Sequence, residues 1–415
     1  MANTSLTSVN DILKRLYPDN VSDANFKSYP ALAMMKKSHF VSTGGQGHVV
    51  PIVLSYGAGA SHTFSSAQSY TYPATYKGFL VTTTKDYVVR RIEGEALAHA
   101  QGDRMALLEL ISSNTEDAFA LANKKMGWQL FRDGNAYIGA VGTSGITTTS
   151  LTLSVPTDIH NFEVGMEVVA ASTAAGSIRS GSATITGINI GTYTLTTDSN
   201  WASQITSIAD ADYLYAIGDA PNGGTAAGLK GFDAWIPSVA ATDTFFGVAR
   251  TGLSKLSGLR YDASGYSSVR ECLIRGQHYM NTNITNGGID TCFVHPNVYR
   301  QLLLEMDGKE NITRQAQSLK GPVEFGFNGF RLIGDKGPID IFADINCQPT
   351  VAWMLSWGDW KLLSAGGEAP RLIQHGDKLI NVYNEDTAEM RIGHYSQVAC
   401  FNTSRQGRVT MPAFS

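Results

Sequence analysis

Residues 44–83 read GGQGHVVPIVLSYGAGASHTFSSAQSYTYPATYKGFLVTT, and the reading of this stretch decides the fold. β-Branched and aromatic residues, the types that suit a pleated strand, are broken by glycines and carry almost no charge. The apolar periodicity is too thin for the segment to fold on itself, so it is expected to need a partner. Further along, residues 93–132 place Leu97, Met105, Leu108, Ile111, Ala118, Phe119, Ala122, Met126 and Leu130 at steps of three and four or their sums, which is one helix face. At 1.5 Å per residue these 40 positions span roughly 60 Å, longer than a compact domain uses in one piece. A sticky extended arm beside a long spine helix suits a building block better than a soluble enzyme.

The composition points the same way. The 415 residues hold about two or three domains with real cores. Charged residues make up only 16% of them, against roughly 25% in typical globular proteins, so much of the surface is expected to meet other copies. Cys272, Cys292, Cys347 and Cys400 are scattered and form no CxxC pair; they read as buried free thiols, not a zinc site or redox dithiol. Met1 to Ser8 lacks the apolar core of a signal peptide, and no apolar run approaches the roughly 18 residues of a membrane span. Assembly in a reducing cytoplasm is the expectation.

Around this frame the chain changes character twice. Residues 1–42 read as an arm, with a short helix over Asp11 to Leu16 stopped by Pro18 and a second helical piece at Ala31 to Lys37. Residues 140–220 are dense in Thr, Ser, Gly and Ile, with alternating runs at Leu151 to Val155, Ala183 to Thr186 and Tyr193 to Thr196, separated by Gly165, Gly181 and Gly191. This is the pattern of a small all-β module. It carries seven acids and one base, Arg179, a local charge of −6 against −4 for the whole chain, which leaves +2 for the remainder. From Gly228 onward helices are expected at Ser267 to Thr282 and Pro296 to Met306. Strands are expected at Thr291 to Val294, Phe330 to Ile333, Ile339 to Phe342 and Val351 to Leu355. The tail from Ala369 to Phe401 alternates again and is expected to form a sheet backing the long helix. The fold class is therefore α+β.

Catalytic signatures are missing. There is no HExxH, no GxSxG and no phosphate-binding loop; Gly223 to Lys230 has glycines without GK[ST] and reads as a hinge. The histidines form no metal-ligating face, and His295 before Pro296 reads as a helix cap. No enzyme activity, cofactor or metal is expected. The basic pairs Lys14 and Arg15, Lys36 and Lys37, and Lys124 and Lys125 suit at most a weak, sequence-independent contact with nucleic-acid phosphates.

The order of parts resembles the major capsid (coat) proteins of tailed bacteriophages, with the Hong Kong 97-like shell fold. The phrases that carry the resemblance are SYPALAMMKK, GGQGHVVPI, FRDGN, GLKGFDAWI, TCFVHPNVYRQLL and INCQPTVAWMLSWGDWKLL, in that order, over nearly the whole chain except 140–220. It implies an N-terminal arm (1–42), an extended loop, or E-loop (43–82), a peripheral domain holding the spine helix (83–139 and 365–415), an inserted β domain (140–220) and an axial domain (221–364). It further implies self-assembly through hexamers and pentamers into an icosahedral shell around double-stranded DNA, within a virion. A separate scaffolding protein, a portal and decoration proteins are the implied helpers. Part of the family joins subunits by a Lys-to-Asn crosslink; Lys77 stands at the loop base, but no residue pattern marks it as reactive, and non-covalent clasping is expected.

On this reading Tyr56, Phe64, Tyr70, Tyr72 and Tyr76 make the intersubunit contacts of the loop. Leu108, Ile111, Phe119 and Met126 form the core face of the spine. The acidic insert should face away from DNA, and excising residues 141–217 should remove only an outer protrusion, with a contribution of the module to folding of the subunit as the alternative. Two other readings compete: a bacterial nanocompartment (encapsulin-like) shell protein, and a β-rich adhesive or carbohydrate-binding protein whose working part is the insert.

Overall fold

The computed structural model describes residues 29–40, 47–95, 104–224, 228–284, 286–307, 330–334, 336–373, 380–382 and 384–414. The chain divides into two units: residues 1–42, 82–231 and 362–398, and residues 43–81, 232–361 and 399–415.

The first unit is built on a sheet whose central strand is Thr387–Cys400, flanked by Trp360–Ser364 and Arg371–Leu372; Lys36–His39 lies beyond Trp360–Ser364, and Ile380–Asn381 and Thr84–Glu93 also pair to the central strand. The longest pairing runs antiparallel from Thr84 opposite Ser396 to Glu93 opposite Thr387. The α-helix Arg104–Leu130 lies against this sheet. Ala118 and Ala122 pack with Ile392, and Val88, Phe119 and Leu372 close around them. Two consecutive helical turns thus present small side chains to a β-branched surface, which lets helix and sheet approach closely. The sequence expectation of a helix from Glu93 is off by one residue: Glu93 ends a strand, Gly94 and Glu95 are helical, and residues 96–103 lie outside the described residues. Residues 84–93 are a strand because Val88 and Ile92 point inward while Tyr87, Val89 and Arg91 point outward, a period of two. The 27-residue helix that follows is about 40 Å long. Leu108 and Ile111 lie where side chains are outside the described residues; Phe119 packs against the Ala118, Ala122 and Ile392 cluster and Met126 is buried.

At its C-terminal end this helix is enveloped: Met126, Trp128, Gln129, Leu130 and Phe131 are all buried. The chain returns to the helix end at residues 228–231. Leu229 N–H donates to Gln129 Oε1 (3.2 Å) and Gly231 N–H to the Arg132 carbonyl (3.0 Å). A Cβ on Gly231 would stand 2.1 Å from the Leu130 carbonyl oxygen, so only glycine fits.

Residues 139–216 form six antiparallel strands in the order Gly139–Ala140, Tyr213–Ala216, Glu167–Ala171, Ala183–Asn189, Thr194–Thr197, Ser150–Thr152. The two ends of this order also meet. Gly142 N–H donates to the Thr152 carbonyl (2.8 Å), Ser154 N–H to the Ala140 carbonyl (2.9 Å), and Val141 bridges Leu153. The sheet is therefore a closed barrel, which leaves no strand edge exposed. Its interior is filled by Leu151, Val168, Ala183, Ile185, Leu195 and Leu214, and Trp128 of the long helix belongs to the same core. Arg132 and Asp158, both buried, form an ion pair beneath it, with the Arg132 guanidinium 5.2 Å from the Tyr137 ring centroid. Burial opposes the charge on Arg132, but Asp158 overrides it and holds the guanidinium protonated.

The second unit has a mixed six-stranded sheet in the order Leu259–Asp262, Gly407–Thr410, Val351–Leu355, Thr291–Val294, Gly337–Ala343, Phe330–Gly334. Helices Val269–Asn283 and Pro296–Asp307 cover one face, through Cys272, Leu273, Met280, Val298 and Leu302 against Cys292, Val294, Ala352 and Met354. The alternate residues Phe293 and Trp353 meet Phe232 on the other face, which is why the central strands are apolar throughout. Ser268 caps the first helix, and Glu305 of the second accepts from Ser268 Oγ (2.7 Å) and from the N–H groups of Val269 and Arg270 (2.9 and 3.1 Å). His295 Nδ1 accepts from Asn297 N–H at 3.1 Å, the capping role read from the sequence. All four cysteines are buried and free. One boundary differs from the sequence expectation. The end of the chain was grouped with the spine, yet Gly407–Thr410 lies inside this second sheet, parallel to Leu259–Asp262 and antiparallel to Val351–Met354.

Candidate functional site

The stretch quoted at the outset belongs to the second unit. Strands His48–Ser55 and Thr75–Val81 pair antiparallel, with Val50 opposite Phe79 and Ile52 opposite Lys77. The expectation that this segment cannot fold on itself is thus overturned at its base. Val50, Ile52, Phe79 and Val81 form a buried stripe at every second position, a four-residue signal split between two runs 27 positions apart (Ile52 to Phe79) and diluted by Pro51 and Gly78.

The base is clamped by aromatic and polar contacts. Phe79 meets Trp235 edge-on at 5.2 Å and Phe245 at 6.0 Å, and Trp235 meets Phe245 at 4.9 Å. Arg250 lies over the Phe245 ring at 4.2 Å and is held by Asp243 through two hydrogen bonds of 2.7 and 2.9 Å. Leu80 N–H donates to the Phe246 carbonyl (3.0 Å), and Lys255 Nζ donates to the Leu54 carbonyl (3.0 Å). The contacts of Phe79, Leu80 and Leu54 reach across more than 150 positions of sequence, and only the aromatic content of the segments hinted at them.

Beyond the clamp the hairpin carries little of its own core. A short helix, Phe64–Ser69, is capped by Thr63, whose Oγ1 accepts from Ser66 N–H at 3.4 Å. Ser69 Oγ and Thr71 Oγ1 donate to the Ser65 and Ala67 carbonyls at 2.9 and 2.8 Å. Ala58 and Tyr72 bridge across the hairpin, and Gly57 has φ +81° with the Tyr72 carbonyl 2.4 Å from where a Cβ would stand. The tip is therefore ordered by local hydrogen bonds, backbone and side-chain, and not by a core of its own. Tyr56, Phe64, Tyr70, Tyr72 and Tyr76 are between 64% and 79% exposed on it. Val49 and Val53, which the sequence reading passed over, extend the apolar surface along the outward strand face. Lys77 is the only Lys, Arg, Asp or Glu between residues 43 and 81, so the display is apolar and nearly uncharged.

The basic pairs behave differently from the sequence expectation. Lys124 pairs with Glu163 at 2.7 Å, and Lys125 is held between Asp86 and Asp219 at 2.8 Å each. Burial works against the Lys125 charge, yet the two carboxylates raise its pKa, so this cation is spent inside its own unit. Lys125 is thereby closed to a phosphate backbone, while Lys124 is engaged only by a surface ion pair. Lys36 is exposed on the strand Lys36–His39 and Lys37 half-buried; Lys14 and Arg15 lie outside the described residues. Among the described residues no three His, Cys, Asp or Glu side chains form a metal-binding group, and no helix is long and apolar enough to cross a membrane.

No protein-family model matches the chain, and no curated protein matches it. Solved structures do. The capsid asymmetric unit of cyanophage A-1(L) aligns over 96% of this chain and 96% of its own, at 11% identity and a TM-score of 0.53. A structure from Mycobacterium phage Bobi covers 99% of each chain at 11% identity and a TM-score of 0.40. The holo-SrpI encapsulin complex from Synechococcus elongatus covers 99% of this chain and 96% of its own, at 7% identity and a TM-score of 0.39. With near-complete mutual coverage and a TM-score above 0.5, the chain shares its fold with the subunit of the cyanophage capsid.

Proposed function

We propose that the chain is a major capsid protein of a tailed bacteriophage, which self-assembles through hexamers and pentamers into an icosahedral shell enclosing double-stranded DNA. The observation that carries this reading is the hairpin: its base is fixed by the Phe79, Trp235 and Phe245 cluster, while its tip holds five aromatic side chains out of any core. A surface of that kind, kept rigid and uncharged, suits a contact with another subunit, since aromatics supply area at little rotamer cost. The cyanophage likeness supports a shell-forming role by fold. A scaffolding protein and a portal would assist assembly, decoration proteins would bind the finished surface, and contact with DNA would be weak and sequence-independent.

The test is electron microscopy of the purified, full-length protein, co-expressed with the neighbouring genes of its source genome, followed by nuclease digestion. Closed shells that protect double-stranded DNA are expected. Shells filled with a cargo protein would assign the chain to a nanocompartment, and dispersed chains that adhere to glycans would sink the shell reading altogether.

A further inference from the structure

Arg260, in the second unit, is a half-buried cation that no carboxylate neutralises among the described residues. It stands on the strand Leu259–Asp262 opposite Arg408 of Gly407–Thr410 in a parallel pairing, so the two side chains leave the same face of the sheet. Arg408 is engaged by Asp233 and lies 5.3 Å from the Trp353 ring centroid. Arg250 reaches the same region, donating to the Ala234 and Trp235 carbonyls (3.0 and 3.3 Å), and is paired with Asp243. Arg260 donates only to neutral groups: Nη1 to the Ser257 and Pro237 carbonyls (2.9 and 3.5 Å), and Nη2 to Ser257 Oγ (3.1 Å). Asp262, two positions along the same strand face, accepts instead from Ser264 N–H at 3.0 Å. We infer that Arg260 anchors an intersubunit contact: it receives a carboxylate side chain from a second copy of this chain, an inference that rests on the shell-forming reading.

Three arginines thus converge, and two carboxylates answer them. An uncompensated charge taken out of water is costly, which is why arginines inside folded chains are paired. Burial, then the charge of Arg250 and after it that of Arg408, draw the pKa of Arg260 below the ordinary arginine value, with Tyr279 opposing. A guanidinium carries five N–H donors, and the three bonds above leave Nε–H and one Nη2–H, a fork that grips a carboxylate at two points. Arg408 Nε is buried without a partner among the described residues, whereas Arg260 Nε is not closed off from solvent.

The surroundings select the kind of anion. A phosphate backbone is held by many open cations, yet two of these three arginines are occupied by aspartates of their own chain. Residues 237–241, which supply the Pro237 carbonyl, carry no charge, and Val239 among them is 72% exposed. A single open guanidinium beside apolar surface is the composition of a protein interface, where arginine is enriched and other charges are depleted. The site also adjoins the hairpin clamp, since Arg250 lies over Phe245 and Lys255, close before Ser257, donates to the Leu54 carbonyl. Residues 43–81 hold no Asp or Glu, so the carboxylate comes from a part of the second copy other than its hairpin.

The full-length chain is compared with its Arg260→Ala, Arg260→Lys and Arg260→Glu variants. Light scattering against concentration measures assembly, and differential scanning fluorimetry of the dispersed chains measures folding. Dispersed Arg260→Ala should melt within about 2 °C of the parent or above it, since removing an unpaired cation relieves repulsion. It should nevertheless need about tenfold more protein to assemble, the loss of one charge-assisted contact, while Arg260→Glu forms no shells. Shells of Arg260→Lys, mixed from ordinary and heavy-nitrogen chains, are treated with a carbodiimide, which condenses a lysine with a carboxylate in contact. They should yield an amide between the introduced lysine and an Asp or Glu in peptide pairs of mixed isotope. Should the alanine variant misfold, this crosslink still decides. Shells from Arg260→Glu at the parent's concentration, or the absence of mixed-isotope crosslinks, would overturn the anchor and leave the shell reading standing. Normal assembly with loss of protected DNA would also overturn it and give the guanidinium to phosphate. A parent chain that forms no shells when expressed with its neighbouring genes would defeat both readings together.

Discussion

Excising the barrel should unfold the first unit, not merely trim it. Replacing residues 141–217 by a Gly-Ser linker joins Ala140 to Gly218, five positions beyond Tyr213, the register partner of Ala140, a span that a short linker bridges. The difficulty lies underneath. Trp128 sits in the barrel core with only 4% of its surface exposed, and Ile138 beside it is equally buried. A tryptophan buries roughly 200 Å², so exposing it costs about 5 kcal/mol at 25 cal/mol per Å². Asp158 leaves with the barrel as well, which strips the partner from Arg132. Set against a total stability of about 5–15 kcal/mol for a domain, that loss is decisive. The apparent melting temperature of the excised chain should fall by roughly 10–20 °C, or the chain should be insoluble. Adding Trp128→Gln and Ile138→Thr to the excised chain should recover part of the loss by making the uncovered face polar. A melting temperature within about 3 °C of the parent, read by differential scanning fluorimetry, would refute the reasoning and restore the view of the barrel as a detachable module.

Three further outcomes follow from the contacts above. Phe79→Ala should cost about 3–5 kcal/mol as a large-to-small truncation in a packed aromatic cluster, and should expose residues 47–81 to limited proteolysis; a protease-resistant variant would mean the clamp is redundant. Replacing Tyr56, Tyr70 and Tyr72 by serine should leave circular dichroism and urea unfolding unchanged within about 0.5 kcal/mol while abolishing shells in electron micrographs, since all three are exposed in the isolated chain. His394 is buried with its Nε2 unpartnered among the described residues, and its pKa is lowered to about 4, first by burial and then by Lys125, with Asp86 opposing. Because the unfolded chain binds this proton near pH 6.5 and the folded one only near 4, stability should be full above pH 6.5. About 3 kcal/mol should be lost as the pH falls to 4; a His394→Gln variant whose urea midpoint declines as steeply over that window would exclude this histidine as the cause.

The parts of the fold legible in the sequence were those set by neighbouring residues. The helix Pro296–Asp307 announced itself through Pro296 at its start, Val269–Asn283 was expected within two residues of its bounds, and Thr291–Val294 and Val351–Leu355 showed as unbroken apolar runs. Thr84–Glu93 was missed because Lys85, Asp86, Arg90 and Arg91 crowd a strand whose inward face carries only Val88 and Ile92 as large apolar residues, and a long helical pattern follows it at once. The placement of Gly407–Thr410 could not be read locally, since its neighbours in the sheet come from residues 259–262 and 351–354. In the candidate site the same division holds. Exposed aromatics in an uncharged, glycine-rich stretch were visible, whereas the clamp on Phe79 was not, because its partners stand more than 150 residues away. The two lysines of the spine helix looked available only while Glu163, Asp86 and Asp219 were unplaced.

Those lysines also change the meaning of the acidic insert. A net charge of −6 over residues 140–220 suggested a module repelled by nucleic acid and hence turned away from it. Four of its seven acids are engaged by cations: Asp212 by Arg179 within the barrel, and Glu163, Asp158 and Asp219 by Lys124, Arg132 and Lys125 of the adjoining helix and its end. Counting the three helix cations with the module halves its net charge to −3, since each contributes +1. What remains sits on Asp198, Asp210 and Glu167, of which Glu167 already accepts a bond from Ser182 Oγ. At a Debye length of about 8 Å in physiological salt, three partly satisfied carboxylates orient a barrel only feebly. In the proposed shell, the side on which the barrel stands would therefore follow from how Trp128 and Arg132 fasten it to the long helix more than from repulsion between its own charge and DNA.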